Sequence, residues 1–121
     1  MENFTEIFAI RKYWATLDDP FPNDLPAQSV YEKVTKGDDL DTGSRTMEIF
    51  YHEDDAREAF DAYKIAANYH DVWSGDYHRR LYKVTVVTLE RVVYEDEDSE
   101  MPDLIETLEW EAKPIQDNNS E

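Results

Sequence analysis

Arg80-Leu81-Tyr82-Lys83-Val84-Thr85-Val86-Val87-Thr88-Leu89-Glu90-Arg91-Val92-Val93-Tyr94 is the stretch whose reading decides the fold. β-Branched and aromatic residues dominate it, and these suit a pleated, half-buried surface, so the stretch is predicted to be one long strand. Its apolar phase changes part-way: Tyr82, Val84 and Val86 are even, but Val87, Leu89 and Val93 are odd. Successive strand side chains point to opposite faces. Either a bulge near Val86-Val87 puts both sets on one face, or the strand is central and covered on both faces.

Working outward, the chain after this strand enters an acidic loop, Glu95-Asp96-Glu97-Asp98 with Glu100 and Asp103. Leu104 to Trp110 follows, with Leu104, Leu108 and Trp110 at even positions interrupted by Glu106. This favours a strand paired with residues 80–94 as a hairpin, although Pro102 could equally open a short helix. Upstream, Trp73-Ser74-Gly75-Asp76 breaks the pattern. The best helix lies before it. Ala56, Ala59, Phe60, Tyr63, Ala66, Ala67 and His70 recur at three- and four-residue intervals, which gives one buried stripe from Asp55 to about His70. Asp55 and Glu58 have capping-box spacing at its start. Arg45 to Tyr51 alternates as a strand, and Phe4 to Trp14 does so with Phe4, Phe8, Ile10 and Trp14 on one side. Three prolines make residues 18–26 a loop, and 37–43 is a second loop. Val30 to Thr35 between them suits either a strand or a helical turn.

The elements sum to an α+β domain: an antiparallel sheet of four or five strands with one main helix packed on one face. A chain of 121 residues reads as one compact domain over residues 1–115, with 116–121 as a frayed acidic tail. Tyr, Phe and Trp are too plentiful for a disordered acidic chain.

Charge sets the class of partner. The chain has 29 acidic and 12 basic side chains, net −17, and residues 95–121 alone hold 11 acids against one base. A field of this sign repels nucleic acid and membrane surfaces and attracts basic partners. No cysteine is present, which excludes disulfides, cysteine-ligated zinc and a thiol nucleophile. The acidic start, Met1-Glu2-Asn3-Phe4-Thr5-Glu6, is unlike a signal peptide, and no apolar run is long enough to span a bilayer. A soluble cytoplasmic protein is expected.

The chemical motifs do not assemble. His52, His70 and His78 are not at metal-ligand spacing. Asp38, Asp39 and Asp41 beside Gly43 fail the calcium-loop pattern, since the twelfth position from Asp39 is Phe50 rather than a glutamate. His52-Glu53-Asp54-Asp55 is explained by its place before a helix, where carboxylates satisfy free amides and the positive end of the dipole. There is no Gly-rich phosphate loop and no nucleophile elbow. No catalytic residue, cofactor or metal is therefore expected. The aromatic residues fall on faces read as core, so no stacking platform for bases is expected either. What remains are rows of carboxylates at strand or helix spacing: Glu95 and Glu97 with the loop through Asp103, Glu106 with Glu109 and Glu111, and Glu53, Asp54 and Asp55 at the helix start.

A short strand (Met47 to Tyr51) running into an acid-capped, alanine-rich helix (Asp55-Ala56-Arg57-Glu58-Ala59-Phe60), then a long β-hairpin, resembles the small acidic, cysteine-free inhibitors that bacteriophages encode against host machinery, anti-CRISPR and anti-restriction proteins among them. The resemblance is one of architecture and composition over about half of the chain. It implies a non-enzymatic inhibitor in the host-cell cytoplasm, a monomer or small homo-oligomer. Its implied partner is a basic nucleic-acid-binding protein (a CRISPR effector, restriction enzyme or polymerase), met by mimicry of nucleic-acid charge and without direct nucleic-acid or membrane binding. The candidate contacts are Glu95, Asp96, Glu97, Asp98, Glu100, Asp103, Glu106, Glu53, Asp54 and Asp55. The alternative is a structural, assembly or interaction module whose acidity serves only solubility.

Overall fold

The long strand is central and two-faced. In the computed structural model, which describes residues 5–18, 26–36, 41–74, 79–95 and 100–115, the elements run β1 (Thr5–Asp18), α1 (Ala27–Lys36), β2 (Asp41–Phe50), α2 (Glu53–Tyr63), a 3₁₀ turn (Lys64–Ala66), β3 (Asn68–Ser74), β4 (Arg79–Tyr94) and β5 (Leu104–Glu111). The sheet is antiparallel in the order β2-β1-β4-β3, with β5 also paired to β4. β3 lies beside the first half of β4 and β5 beside the second half, so two short strands share one edge of the long one. The chain after β5 then runs along β3: Tyr69 N–H donates to the Lys113 carbonyl (2.8 Å), and Ile115 N–H to the Tyr69 carbonyl (2.9 Å).

The β1–β4 ladder runs without a register shift from Thr5↔Tyr94 to Asp18↔Leu81. The bulge near Val86-Val87 does not form, and the alternation simply continues. Tyr82, Val84 and Val86 pack with Ala15, Val30, Val34 and Ala112 under α1. Val87 and Leu89 pack with Phe8, Ile10, Ala56, Phe60 and Ala67 under α2. The helices thus cover opposite faces, each over one half of the sheet. Bulges occur elsewhere, where Met47 of β2 falls between partners of Ile10 and Arg11, and where Leu108 of β5 falls between partners of Leu89 and Glu90.

One open reading is settled and several expectations change. The Val30–Thr35 region is helical: α1 follows Pro26, whose carbonyl accepts from Ser29 and Val30, and it buries Val30 and Val34 one turn apart. The main helix starts at Glu53 and ends at Tyr63, well short of His70. Its N-cap is His52, which makes no side-chain capping bond, so Asp55 and Glu58 form no capping box. Ala67 is extended (φ −74°, ψ 127°), which turns the chain into β3, and this strand carries His70 and runs through Trp73 and Ser74. β2 begins at Asp41, inside the expected second loop. Trp14, expected in the core, is 43 % exposed. Residues 116–121, and with them the expected tail, lie outside the described residues.

Ala56 and Phe60 are buried at the contact between α2 and the sheet, with Ala59 and Tyr63 partly buried beside them. Phe60→Ala is expected to cost about 3–5 kcal/mol, the range for emptying a buried aromatic site. Urea unfolding measures it, and a loss well under 1 kcal/mol would show that this stripe is not what holds the helix to the sheet.

Candidate functional site

The Leu108 bulge decides how the acids of β5 are presented. Glu106 is even while Glu109 and Glu111 are odd, so an unbroken strand would send them to opposite faces. With one residue looped out, Glu106 pairs with Arg91, Glu109 with Leu89 and Glu111 with Val87, three positions on the same side of β4. That is the side covered by α2. Glu6 and Glu48 join it from β1 and β2, and the helix brings Glu53, Asp54, Asp55, Glu58 and Asp61. Among the described residues, nine of these carboxylates therefore share the α2 end of this face with three bases, Arg57, Lys64 and Arg91, while Glu111 stands one row further on, in the row of Val87, Lys12 and Arg45.

All three bases are neutralised within the chain. Arg57 meets Glu53 (2.7 Å) one turn back and Glu109 (2.6 Å) on β5. Arg91 bridges Glu6 and Glu106. Lys64 pairs with Asp61 (3.1 Å). The hydrogen bond from Arg57 to Glu53 raises its pKa, as that from Arg91 to Glu6 does for Arg91. Tyr63 donates to Glu48 (2.8 Å), which raises the tyrosine pKa.

The candidate contact residues divide accordingly. Glu53 and Glu106 are exposed but already ion-paired. Asp54 and Asp55 are exposed in the first turn of α2, where the helix dipole favours their charge. Asp103 closes the β4–β5 connection: its carboxylate accepts from Glu95 N–H (2.5 Å), and its own N–H donates to the Val93 carbonyl (2.8 Å). Glu95 and Glu100 are exposed at the two ends of the acidic segment, and Asp96, Glu97 and Asp98 lie outside the described residues. Same-face positions on a strand are about 7 Å apart, whereas one strand of DNA carries a charge every ~3.4 Å of axis. The β5 row alone is thus too sparse to copy a phosphate lattice.

Sequence reading missed Glu90. It is 3 % exposed on the α1 side of β4. Its Oε2 accepts from the Tyr13 hydroxyl (2.7 Å) and the Thr88 hydroxyl (3.0 Å), and Arg11 Nε lies 3.6 Å from Oε1. A charge at an otherwise apolar strand position was the available signal. The arrangement holds the carboxylate as an acceptor between neighbours and leaves it no open approach for a substrate. Burial, then the hydrogen bond to Glu90, raises the Tyr13 pKa. Among the described residues no group of three His, Asp or Glu side chains is placed to hold a metal ion, and no helix is long and apolar enough to cross a membrane. Comparison with protein-family models, curated proteins and solved structures finds nothing that matches this chain.

The Tyr13–Glu90 contact has a pH signature. A phenol whose pKa is raised by folding adds stability in full below the ordinary tyrosine value, near 10, and loses it as the pH rises through the higher folded value. Tyr13→Phe is expected to lower stability by about 1.5–3 kcal/mol at neutral pH, the usual worth of a hydrogen bond to a charged group. It should also flatten the loss of stability above the ordinary tyrosine pKa. Chemical unfolding across an alkaline pH series measures both effects, and identical curves for the two proteins would contradict the contact.

Proposed function

We propose that this chain is a non-enzymatic acidic inhibitor that binds a basic nucleic-acid-binding protein and occupies the surface where phosphates would lie. One observation carries this reading: at the α2 end of the sheet nine carboxylates stand against three bases among the described residues, and those bases are consumed by internal ion pairs. What faces outward there is negative charge on a rigid helix and sheet. Preorganised carboxylates lose little conformational freedom on binding. A basic channel built for phosphates complements such a surface, and complementary fields speed encounter and exclude wrong partners. The architectural resemblance to phage-encoded inhibitors supports the same reading.

A second reading, an interaction module that uses apolar contact, is favoured by a different observation. Ile49 and Ile105 are 50 % and 51 % exposed on the α1 side of the sheet, at the end away from that helix.

The two readings part on salt. DNA cleavage by a CRISPR effector and by restriction endonucleases, titrated with this chain, is expected to show stoichiometric inhibition relieved by excess DNA. The inhibition should fade steeply with added salt, because the Debye length is only ~8 Å at physiological ionic strength. Inhibition that barely changes with salt would place the binding energy in the apolar surface. Neutralising Glu53, Asp54, Asp55, Glu95, Asp96, Glu97, Asp98 and Glu100 to Gln or Asn, with folding checked by circular dichroism, is expected to abolish inhibition. Full inhibition by that variant would remove these residues from the contact.

A further inference from the structure

We propose that a second copy of this chain docks on the half of the α2-side sheet face that α2 leaves bare, forming a two-fold dimer. The bare half is built from three neighbouring rows of the sheet. Arg45 and Lys12 stand side by side in the first, Gly43, Trp14 and Thr85 in the second, and Lys83 and His70 in the third. Trp14 is 43 % exposed, and its indole lies across Gly43, where a Cβ would come within 2.6 Å of Cε2 and Cζ2. An aromatic ring is thereby laid down between the Lys12–Arg45 pair on one side and Lys83 with His70 on the other.

This placement is costly for the isolated chain. Lys12 and Arg45 are direct cross-strand partners, and like charges directly opposite each other destabilise a sheet. Acids outnumber bases more than twofold in the chain, yet Lys12, Arg45 and Lys83 make no ion pair or hydrogen bond among the described residues. Arg57, Lys64 and Arg91 at the other end of the same face are all paired. His70 Nδ1 is buried without a hydrogen-bond partner. Among the described residues, one face of the sheet is therefore divided into an acidic half that carries a helix and a half without one, whose cations Lys12, Arg45 and Lys83 are unpaired.

A divided face of this kind is complementary to itself. A two-fold axis running across the strands at the boundary sets the acidic half of each copy against the cationic half of the other, and such an isologous contact closes as a dimer. The outer ridge of α2 supplies the matching charge: Asp54, Glu58 and Asp61 are exposed, on the side away from Ala56 and Phe60. The eleven-residue helix is about 16 Å long, and the stretch of β1 from Lys12 to Asp18 spans about 20 Å, so the helix of one copy fits the bare half of the other. Trp14 and Arg45 are the residue types that most often anchor interfaces. An aromatic platform among cations also suits single-stranded nucleic acid. The net charge of −17 opposes any polyanion, and it opposes a second copy too, but only the copy brings carboxylates fixed at matching positions twice over.

Sedimentation of the full chain without any partner tests this separately from the inhibitor reading. The wild-type protein is expected to be a dimer that shifts toward monomer as salt rises. Lys12→Glu/Arg45→Glu/Lys83→Glu and Asp54→Lys/Glu58→Lys/Asp61→Lys, each checked for native circular dichroism, are each expected to weaken self-association on the order of 100-fold through like-charge contacts. Mixed one to one, the two variants should recover a dimer, because each then meets its complement on both sides of the axis. A wild-type monomer at all concentrations would overturn the proposal, as would dimers unaffected by either triple variant or variants that stay monomeric when mixed. Quenching of Trp14 fluorescence by an oligothymidylate, with the protein monomeric throughout, would overturn it in favour of nucleic acid.

Discussion

Everything in this molecule depends on the unbroken pairing of β4 with β1. Because no residue is looped out between them, odd and even side chains of β4 stay on opposite faces along the whole strand. The even set has to be covered from one side and the odd set from the other, so a single helix would leave one apolar set in water. α1 and α2 divide the task, each over one half of the sheet. The buried Glu90 belongs to the same constraint. It occupies an even position on the α1 side between buried Val86 and Val92, and Tyr13, Thr88 and Arg11, all on that face, surround its carboxylate. A buried charge stripped of such partners costs several kcal/mol, on the order of 3–5.

Half-covered faces explain how a chain this acidic distributes its charge. The helix start, the bulged β5 row and the β4–β5 segment concentrate carboxylates at one end, and the bases placed among them are satisfied locally. Lys12, Arg45 and Lys83, which make no ion pair among the described residues, stand toward the other end of the same face. Net charge alone describes the first feature and conceals the second. The proposed basic partner and the proposed second copy both draw on the outer side of α2. Binding of one therefore opposes binding of the other, a linkage that follows from the shared surface.

The parts legible in the sequence were those with dense apolar periodicity. β4 declared itself by composition, and its phase change correctly limited the choice to two arrangements. The start of α2 was legible from Ala56, Ala59 and Phe60. Its end was not, because Ala66, Ala67 and His70 continue the helical spacing by coincidence while the backbone at Ala67 is already extended. α1 was obscured because only Val30 and Val34 are buried, too few to establish a period. The Leu108 bulge was hidden because a bulge is a property of two strands in register, and one strand's sequence does not state what it pairs with. The candidate acids were found by charge density, whereas the use of Asp103 in closing its own loop depends on where β4 ends. Trp14 reads as core by period; the glycine opposite that lets its ring lie against the sheet edge lies 29 residues on.

The most direct measurement is the cross-strand nuclear Overhauser pattern between β1 and β4 in the labelled protein. A continuous antiparallel ladder, with Tyr13 opposite Val86 and Lys12 opposite Val87, is the result that two-faced burial requires. A break or one-residue slip at Val86-Val87 would gather both apolar sets on one face and contradict the placement of α1 and α2 on opposite sides.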